Sequence, residues 1–238
     1  MSGMARDWSR STRLAWFSLG NLPVVEIGMM SSADFAVIDL QHGLWDRLSA
    51  HNAVGLIGGS RALIRSANGD DAAISQALDT GAAGVIVPMI ETAAQAAAAV
   101  LAAGFMPAGR RSAGGVRPIV NGLGNYVRSG RPVIGIMIES RTGVENAEAI
   151  AAVDGVDFIF IGSGDLRLSL AATDDAAFDR ACDAILVACR GAGKPCGIFT
   201  PAGRSWREMI ERGFSIVTTA DDIGAVMAGF ADPATGEQ

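Results

Sequence analysis

A single (β/α)8 barrel, an α/β fold, is what this sequence predicts, and three observations predict it. Short apolar runs punctuated by Gly, Asp or Pro alternate with longer helical patterns, the signature of repeated βα units around a parallel sheet. Eight such units can be counted, which suits a closed barrel better than a six-stranded doubly wound sheet. The chain has 238 residues, near the ~250 usual for one barrel of this kind.

The elements follow in order. Residues 1–12 read as an N-terminal extension, frayed over its first seven residues, before an apolar run at 14–19 and a helical pattern at 23–30. The barrel is expected to span 13–230, with a frayed tail at 231–238. A second strand, 35–40, runs into Gln41 and His42, and helix 44–57 follows. Strand 62–65 ends on Arg65 before helix 70–80, and strand 84–88 stops at a proline before helix 91–103. The stretch 105–131 is irregular, carries Arg110, Arg111, Arg117 and a short helix-like segment, and far exceeds the ~4–6 residues of a median connection. Such a length predicts a role in function or in contact between copies of the chain. Strand 133–138 with helix 142–152, strand 157–161 with helix 174–191, strand 195–199 with helix 201–212, and strand 215–219 with helix 221–230 complete the set. Gly81, Gly104, Gly191 or Gly193, and Gly213 stand where helix C-caps favour a left-handed residue.

Composition excludes several function classes. Half of the residues are apolar, yet no unbroken apolar run approaches the ~20 that a membrane helix needs, and the first residues lack a signal peptide's apolar core. A soluble, cytoplasmic protein with no membrane partner is the expectation. The net charge of −6 opposes a nucleic-acid footprint, which needs clustered basic surface. Cys182, Cys189 and Cys196 match neither a CxxC pair nor a zinc site, so buried reduced thiols are expected.

Barrel enzymes carry their chemistry at the C-terminal ends of the strands, so polar residues there come first. Strand 5 ends in Glu139, and strand 6 runs into Gly162, Ser163, Gly164 and Asp165. Two carboxylates on neighbouring strands repel unless a proton or cation is shared, and oxygen ligation suits Mg2+ or Mn2+. The alternative is that both simply cap the helices that follow them. His42 follows a buried strand and is placed for a general base, whereas His51 falls within a helical pattern and reads as a packed or solvated helix residue. Arg65 offers a forked cation for a carboxylate or oxyanion, or else a structural ion pair with Asp39 or Asp79. The one lysine, Lys194, precedes strand 7 at the opposite rim, which leaves a Schiff-base mechanism without a nucleophile. Asp221 and Asp222 follow strand 8, where they would repel a phosphate.

At these residues the chain resembles the HpcH/HpaI family of metal-dependent class II 2-oxo-acid aldolases over roughly residues 13–230. The matching blocks are VIDLQHG at 37–43, LIRSANGDD at 63–71, LDTGAAGVIVPMIETAAQA at 78–96, GIMIESRTGVEN at 135–146 and VDGVDFIFIGSGDL at 153–166. The resemblance implies a phosphoenolpyruvate/pyruvate-type barrel in which an aldehyde-lyase joins pyruvate, or a related 2-oxo acid, to an aldehyde. It also implies a divalent ion at Glu139 and Asp165, Mg2+ or Mn2+ first and Co2+ or Zn2+ as alternatives. His42 would then be the base, Arg65 the partner of the enolate or acceptor oxyanion, and Asp79 the residue that orients His42. Amides of Gly162, Ser163, Gly164 and Asp165 would hold the donor carboxylate, and the chain would form a homo-oligomer, a hexamer or trimer of dimers. Met137, Gln41 and Arg167 depart from the family pattern, where glutamine, an acid and a small polar residue are usual. Arg167 is open to three roles: pairing with a distal substrate carboxylate, pairing with Asp165, or a solvated loop charge. The other functions weighed are a citryl- or malyl-coenzyme A lyase and a catalytically silent barrel that binds a small acid.

Overall fold

The computed structural model describes residues 7–120, 122–128, 131–171 and 175–231. Eight parallel strands pair in chain order, and the last returns to the first to close a barrel. They are β1 (Thr12–Phe17), β2 (Phe35–Asp39), β3 (Ala62–Arg65), β4 (Gly84–Val87), β5 (Val133–Ile138), β6 (Phe158–Ile161), β7 (Cys196–Ile198) and β8 (Ile216–Asp221). Every expected strand is present with its ends within two residues of the sequence reading.

Strand alternation builds two concentric cores. Leu14 and Trp16 of β1, Val37 of β2, Leu63 of β3, Met137 of β5, and Phe158 and Phe160 of β6 fill the barrel interior. Their neighbours, such as Ala15, Phe17, Ile38, Ile64, Ile159 and Ile161, face outward into the layer shared with the helices. Gly135 belongs to this arithmetic: a Cβ there would strike the Phe158 ring, so a large residue on β6 requires none opposite on β5. Burying each such aromatic side chain contributes roughly 1.5–3 kcal/mol.

Around the barrel run α1 (Leu22–Gly28), α2 (Arg47–Ile57), α3 (Asp71–Asp79) and α4 (Ala93–Ala103). In the long connection lie α5 (Val116–Val120) and α6 (Leu123–Arg128); α7 (Arg141–Glu145), α8 (Ala147–Ala151), α9 (Ser163–Ser169), α10 (Asp175–Gly191), α11 (Trp206–Arg212) and α12 (Asp222–Phe230) follow. Caps explain the starts: Asp46 and Ser49 form a capping box on α2, and Thr92 with Gln95 does so on α4. Ser205 caps α11, so that helix starts later than the periodicity suggests. Gly81, Gly193 and Gly213 are left-handed, but Gly104 is extended at φ −86°, because the chain leaves α4 directly into the irregular stretch. Among the described residues, no helix is long and apolar enough to cross a membrane.

One expectation needs correction. Residues 7–12 are no separate extension: Thr12 opens β1, and Trp8 is buried against Phe35 and Phe158, with ring centroids 4.9 and 5.1 Å away. It plugs the N-terminal end of the barrel, and a lone indole in a polar segment has no periodicity to announce it. The stretch 105–131 is tied to α3, since Arg111 is buried, donates to Asp79 Oδ1 at 2.8 Å, and lies 4.6 Å from the centre of the Phe105 ring. The frayed ends expected at 1–6 and 232–238 lie outside the described residues.

Candidate active site

The inward parity of the strands, continued past the apolar interior, delivers the polar residues. Val37 is followed two residues on by Asp39, Leu63 by Arg65, Met137 by Glu139 and Phe160 by Gly162. All four of those successors line a cavity of about 640 Å3 at the C-terminal mouth, together with His42, Ser163, Gly164 and Asp165. The mouth is therefore built by the same alternation that packs the core.

Arg65 clamps Asp39 with both prongs: Nε donates to Oδ1 at 2.8 Å and Nη2 to Oδ2 at 2.6 Å. Of the two partners open to Arg65, the structure selects Asp39 and not Asp79. Burial alone would raise the Asp39 carboxyl, but the Arg65 hydrogen bond and charge outweigh it and hold the pKa below the usual range. Asp39 also accepts from the backbone N–H groups of Gln41 and His42, which sets the direction of the chain at His42. Among the described residues the third Arg65 nitrogen, Nη1, has only the Met137 sulfur at 4.0 Å, a weak acceptor, and so stays available to an anion in the cavity.

Glu139 is buried, and its Oε1 accepts from the Met89 N–H at 2.7 Å. Met89 takes the left-handed conformation, φ 57°, uncommon for a residue with a side chain, which turns that N–H toward the carboxylate. Gly162 is required from the other side, because a Cβ would overlap Glu139 Oε2. Burial, chiefly, with the charge and hydrogen bond of Asp165, pushes Glu139 up to about 7, against the lowering effect of Met89 and Arg65. Neither acid caps a helix: Ser140 caps α7, and Asp165 lies inside the first turn of α9. A pair of facing carboxylates without a neutralising lysine fits a hard divalent cation. Among the described residues no cluster of three or more His, Cys, Asp or Glu could hold an ion, so two protein carboxylates are what the chain offers.

His42 is exposed at the mouth, and its ring has no hydrogen-bond partner among the described residues. Among the described residues no hydrogen bond links Asp79 to His42. Asp79 closes α3, pairs with Arg111 and lines a separate cavity of about 290 Å3 with His51, because the barrel wall separates the end of α3 from the mouth. His51 is half-buried on α2, as expected. Lys194 donates to Val156 O at 2.6 Å and borders a different cavity, with Trp8, at the opposite end. Arg167 pairs with Asp175, not with Asp165, and is no solvated loop charge.

Four contributors escaped the sequence reading. Phe199 and Ile223 line the mouth, and Trp16 stacks under it with the Arg65 guanidinium 5.1 Å from its ring centre. Asp222, read only as a repulsive acid, is buried and accepts from the N–H groups of Ser18 and Leu19 at 2.8–3.0 Å. Parity along β1 and β7 could have found Trp16 and Phe199; nothing local marks Asp222.

The sequence model of the HpcH/HpaI aldolase/citrate lyase family matches residues 13–228. A 4-hydroxy-2-oxovalerate aldolase of Rhodococcus jostii (strain RHA1) is 34% identical over 216 residues, 87% of this chain and 84% of its own. A 5-keto-4-deoxy-D-glucarate aldolase of Klebsiella pneumoniae is 32% identical over 223 residues, 88% of this chain and 85% of its own. The crystal structure of a HpcH/HpaI aldolase/citrate lyase family protein from Burkholderia cenocepacia matches with a TM-score of 0.87 and 28% identity, over 94% of this chain and 93% of its own.

Proposed function

The chain belongs to the HpcH/HpaI aldolase/citrate lyase family and is an aldolase, and from that premise we propose that it works on a pyruvate-type donor with a divalent cation, Mg2+ or Mn2+, held by Glu139 and Asp165. The facing carboxylates, Glu139 buried and Asp165 half-buried, carry this reading, since two acids brought together without a neutralising lysine describe a site short of positive charge. When bound, the cation draws electron density from the donor's oxo and carboxylate oxygens and so acidifies its methyl group. His42 takes the methyl proton, the donor carbon then bonds to the aldehyde carbon as the C=O π bond opens, and the resulting alkoxide takes that proton back from His42 to become a hydroxyl. Arg65 Nη1 faces the oxygen on which negative charge develops, while Asp39 fixes the guanidinium plane. The N–H groups at 163–165 take the donor carboxylate. Asp79 has no part in this within one chain.

Coenzyme A finds no support at the mouth: among the described residues that line it the arginines are Arg65 and Arg167, too few for the cation cluster its phosphates would want. A homo-oligomer, a hexamer or trimer of dimers, belongs to the same proposal, supported by the apolar exposed face of α12.

Exchange of the pyruvate methyl protons for deuterium tests the assignment without an acceptor. Wild type with Mg2+ or Mn2+ is expected to exchange, chelation to stop it, and His42→Ala to slow it by about 10²–10⁴-fold with ion binding retained. Exchange that survives exhaustive chelation overturns the role of the cation.

A further inference from the structure

Beyond the donor half of the site, the cavity has a second charged wall that the chemistry above leaves unused. Arg167 follows Asp165 on α9 and lines the same cavity, two residues after a proposed ligand of the cation. Its guanidinium is held from behind: Nη2 meets Asp175 Oδ1 at 2.7 Å, and the Cζ carbon sits 4.2 Å from the centre of the buried Phe178 ring. Both supports come from α10. Asp175 is itself shared with Arg204, at 3.4 Å, and Arg204 is tied in turn to Asp179, so the anchor belongs to an ordered charge ladder.

A guanidinium has five N–H donors in a fixed fork, and the protein contacts found among the described residues engage one edge of it. The same lining includes Leu168, Phe199 and Ile223, whose side chains offer no hydrogen bonds to a chain of hydroxyls. Asp221, the acid of this rim, is occupied as the N-cap of α12, accepting from Gly224 N at 2.7 Å. A short apolar spacer that ends in an anion fits such a wall.

Resting on the pyruvate-aldolase reading, we propose that Arg167 is the specificity-determining residue of the acceptor end, and that the favoured substrates are hydroxy-oxo acids with a second, distal carboxylate. Asp175 is the positioning residue that anchors its guanidinium at the cavity rim.

The test is the ratio of kcat/KM for cleavage of a 4-hydroxy-2-oxo dicarboxylate to that for its ω-amide, which has the same length and no distal charge. Arg167→Gln is expected to lower this ratio about 10–100-fold, through KM for the dicarboxylate, and Arg167→Lys to restore part of it. Asp175→Asn keeps the Arg167 charge but loosens its anchor, and is expected to lower the ratio by less than Arg167→Gln does, with turnover of the ω-amide unchanged. An unchanged ratio in Arg167→Gln, or an equal loss on both substrates, overturns the proposal. Methyl-proton exchange by the wild type, run alongside, keeps the readings apart: its absence sinks the aldolase assignment, whereas exchange with an unchanged ratio sinks only the role of Arg167.

Discussion

At the scale of the residue, charge pairs decide what the mouth can do. Asp39 and Arg65 are both buried, and a buried pair adds little net stability, whereas removing one partner costs roughly 3–5 kcal/mol. Asp39→Ala is therefore expected to lower the urea midpoint sharply. The apolar pair Asp39→Leu with Arg65→Met should recover most of that stability in the same titration and none of the activity. Recovery of turnover as well would show that the clamp is only structural. Glu139 gives the pH dependence. Its native pKa, about 7, lies above its ordinary 4.5, so its contribution to folding is complete below about 4.5 and is lost as pH rises through about 7. The cation-free protein should accordingly melt at a lower temperature at pH 8 than at pH 6, and Glu139→Gln should flatten that slope. The same proton must leave when a cation binds, so affinity measured by calorimetry should fall about tenfold per pH unit below 7 and level off above it. Gly162 is the silent partner here: Gly162→Ala puts a methyl group where Oε2 lies, and weaker cation binding in a folded protein is the expected result.

At the scale of the element, a strap sets the position of one rim. Asp222, the first residue of α12, bonds the N–H groups of Ser18 and Leu19 and so joins the end of β8 to the loop after β1. Asp222→Ala leaves those donors without their acceptor and should cost about 1–3 kcal/mol in denaturant titration. A shift of the rim residue Ser18 should appear as a raised KM, and an unaltered midpoint would show that water replaces the strap. The strands were legible because alternation and apolar content coincide in them: in β3 the run Ala-Leu-Ile-Arg states both the burial and the residue that ends up in the mouth. Helix starts were less so, because Asp46 and Ser205 cap later than the apolar period begins. The sequence reading places no helix where α9 lies, since Gly162-Ser163-Gly164 suppresses helical periodicity at the point where the chain bends over Glu139. Contacts between distant segments, Asp222 with Ser18 or Arg111 with Asp79, have no local signal at all. Their partners are unrelated in sequence spacing and meet only once the barrel has closed.

At the scale of the molecule, α12 is out of keeping with the other helices. It runs Asp-Ile-Gly-Ala-Val-Met-Ala-Gly-Phe, and apart from Asp222 every residue of it is exposed, with Met227 at 67% and Phe230 at 89%. In α10, by contrast, six residues are buried against the barrel. A helix that is apolar all round needs cover on more than one side, and the outer wall of a single barrel supplies only one. A second copy of the chain can supply the other, through a reciprocal contact in which each α12 lies against its partner. The purified protein should then elute in light scattering as a multiple of 24.5 kDa at micromolar concentration. Met227→Glu with Phe230→Glu should shift it to a smaller species, because charges at the centre of such a contact lose their water without gaining a partner. The consequence reaches the cavity, because Ile223 of the same helix lines its mouth. The double variant should therefore lose activity in step with its dissociation, and raising its concentration should restore both together. A wild-type chain that stays monomeric at those concentrations would overturn this account of α12.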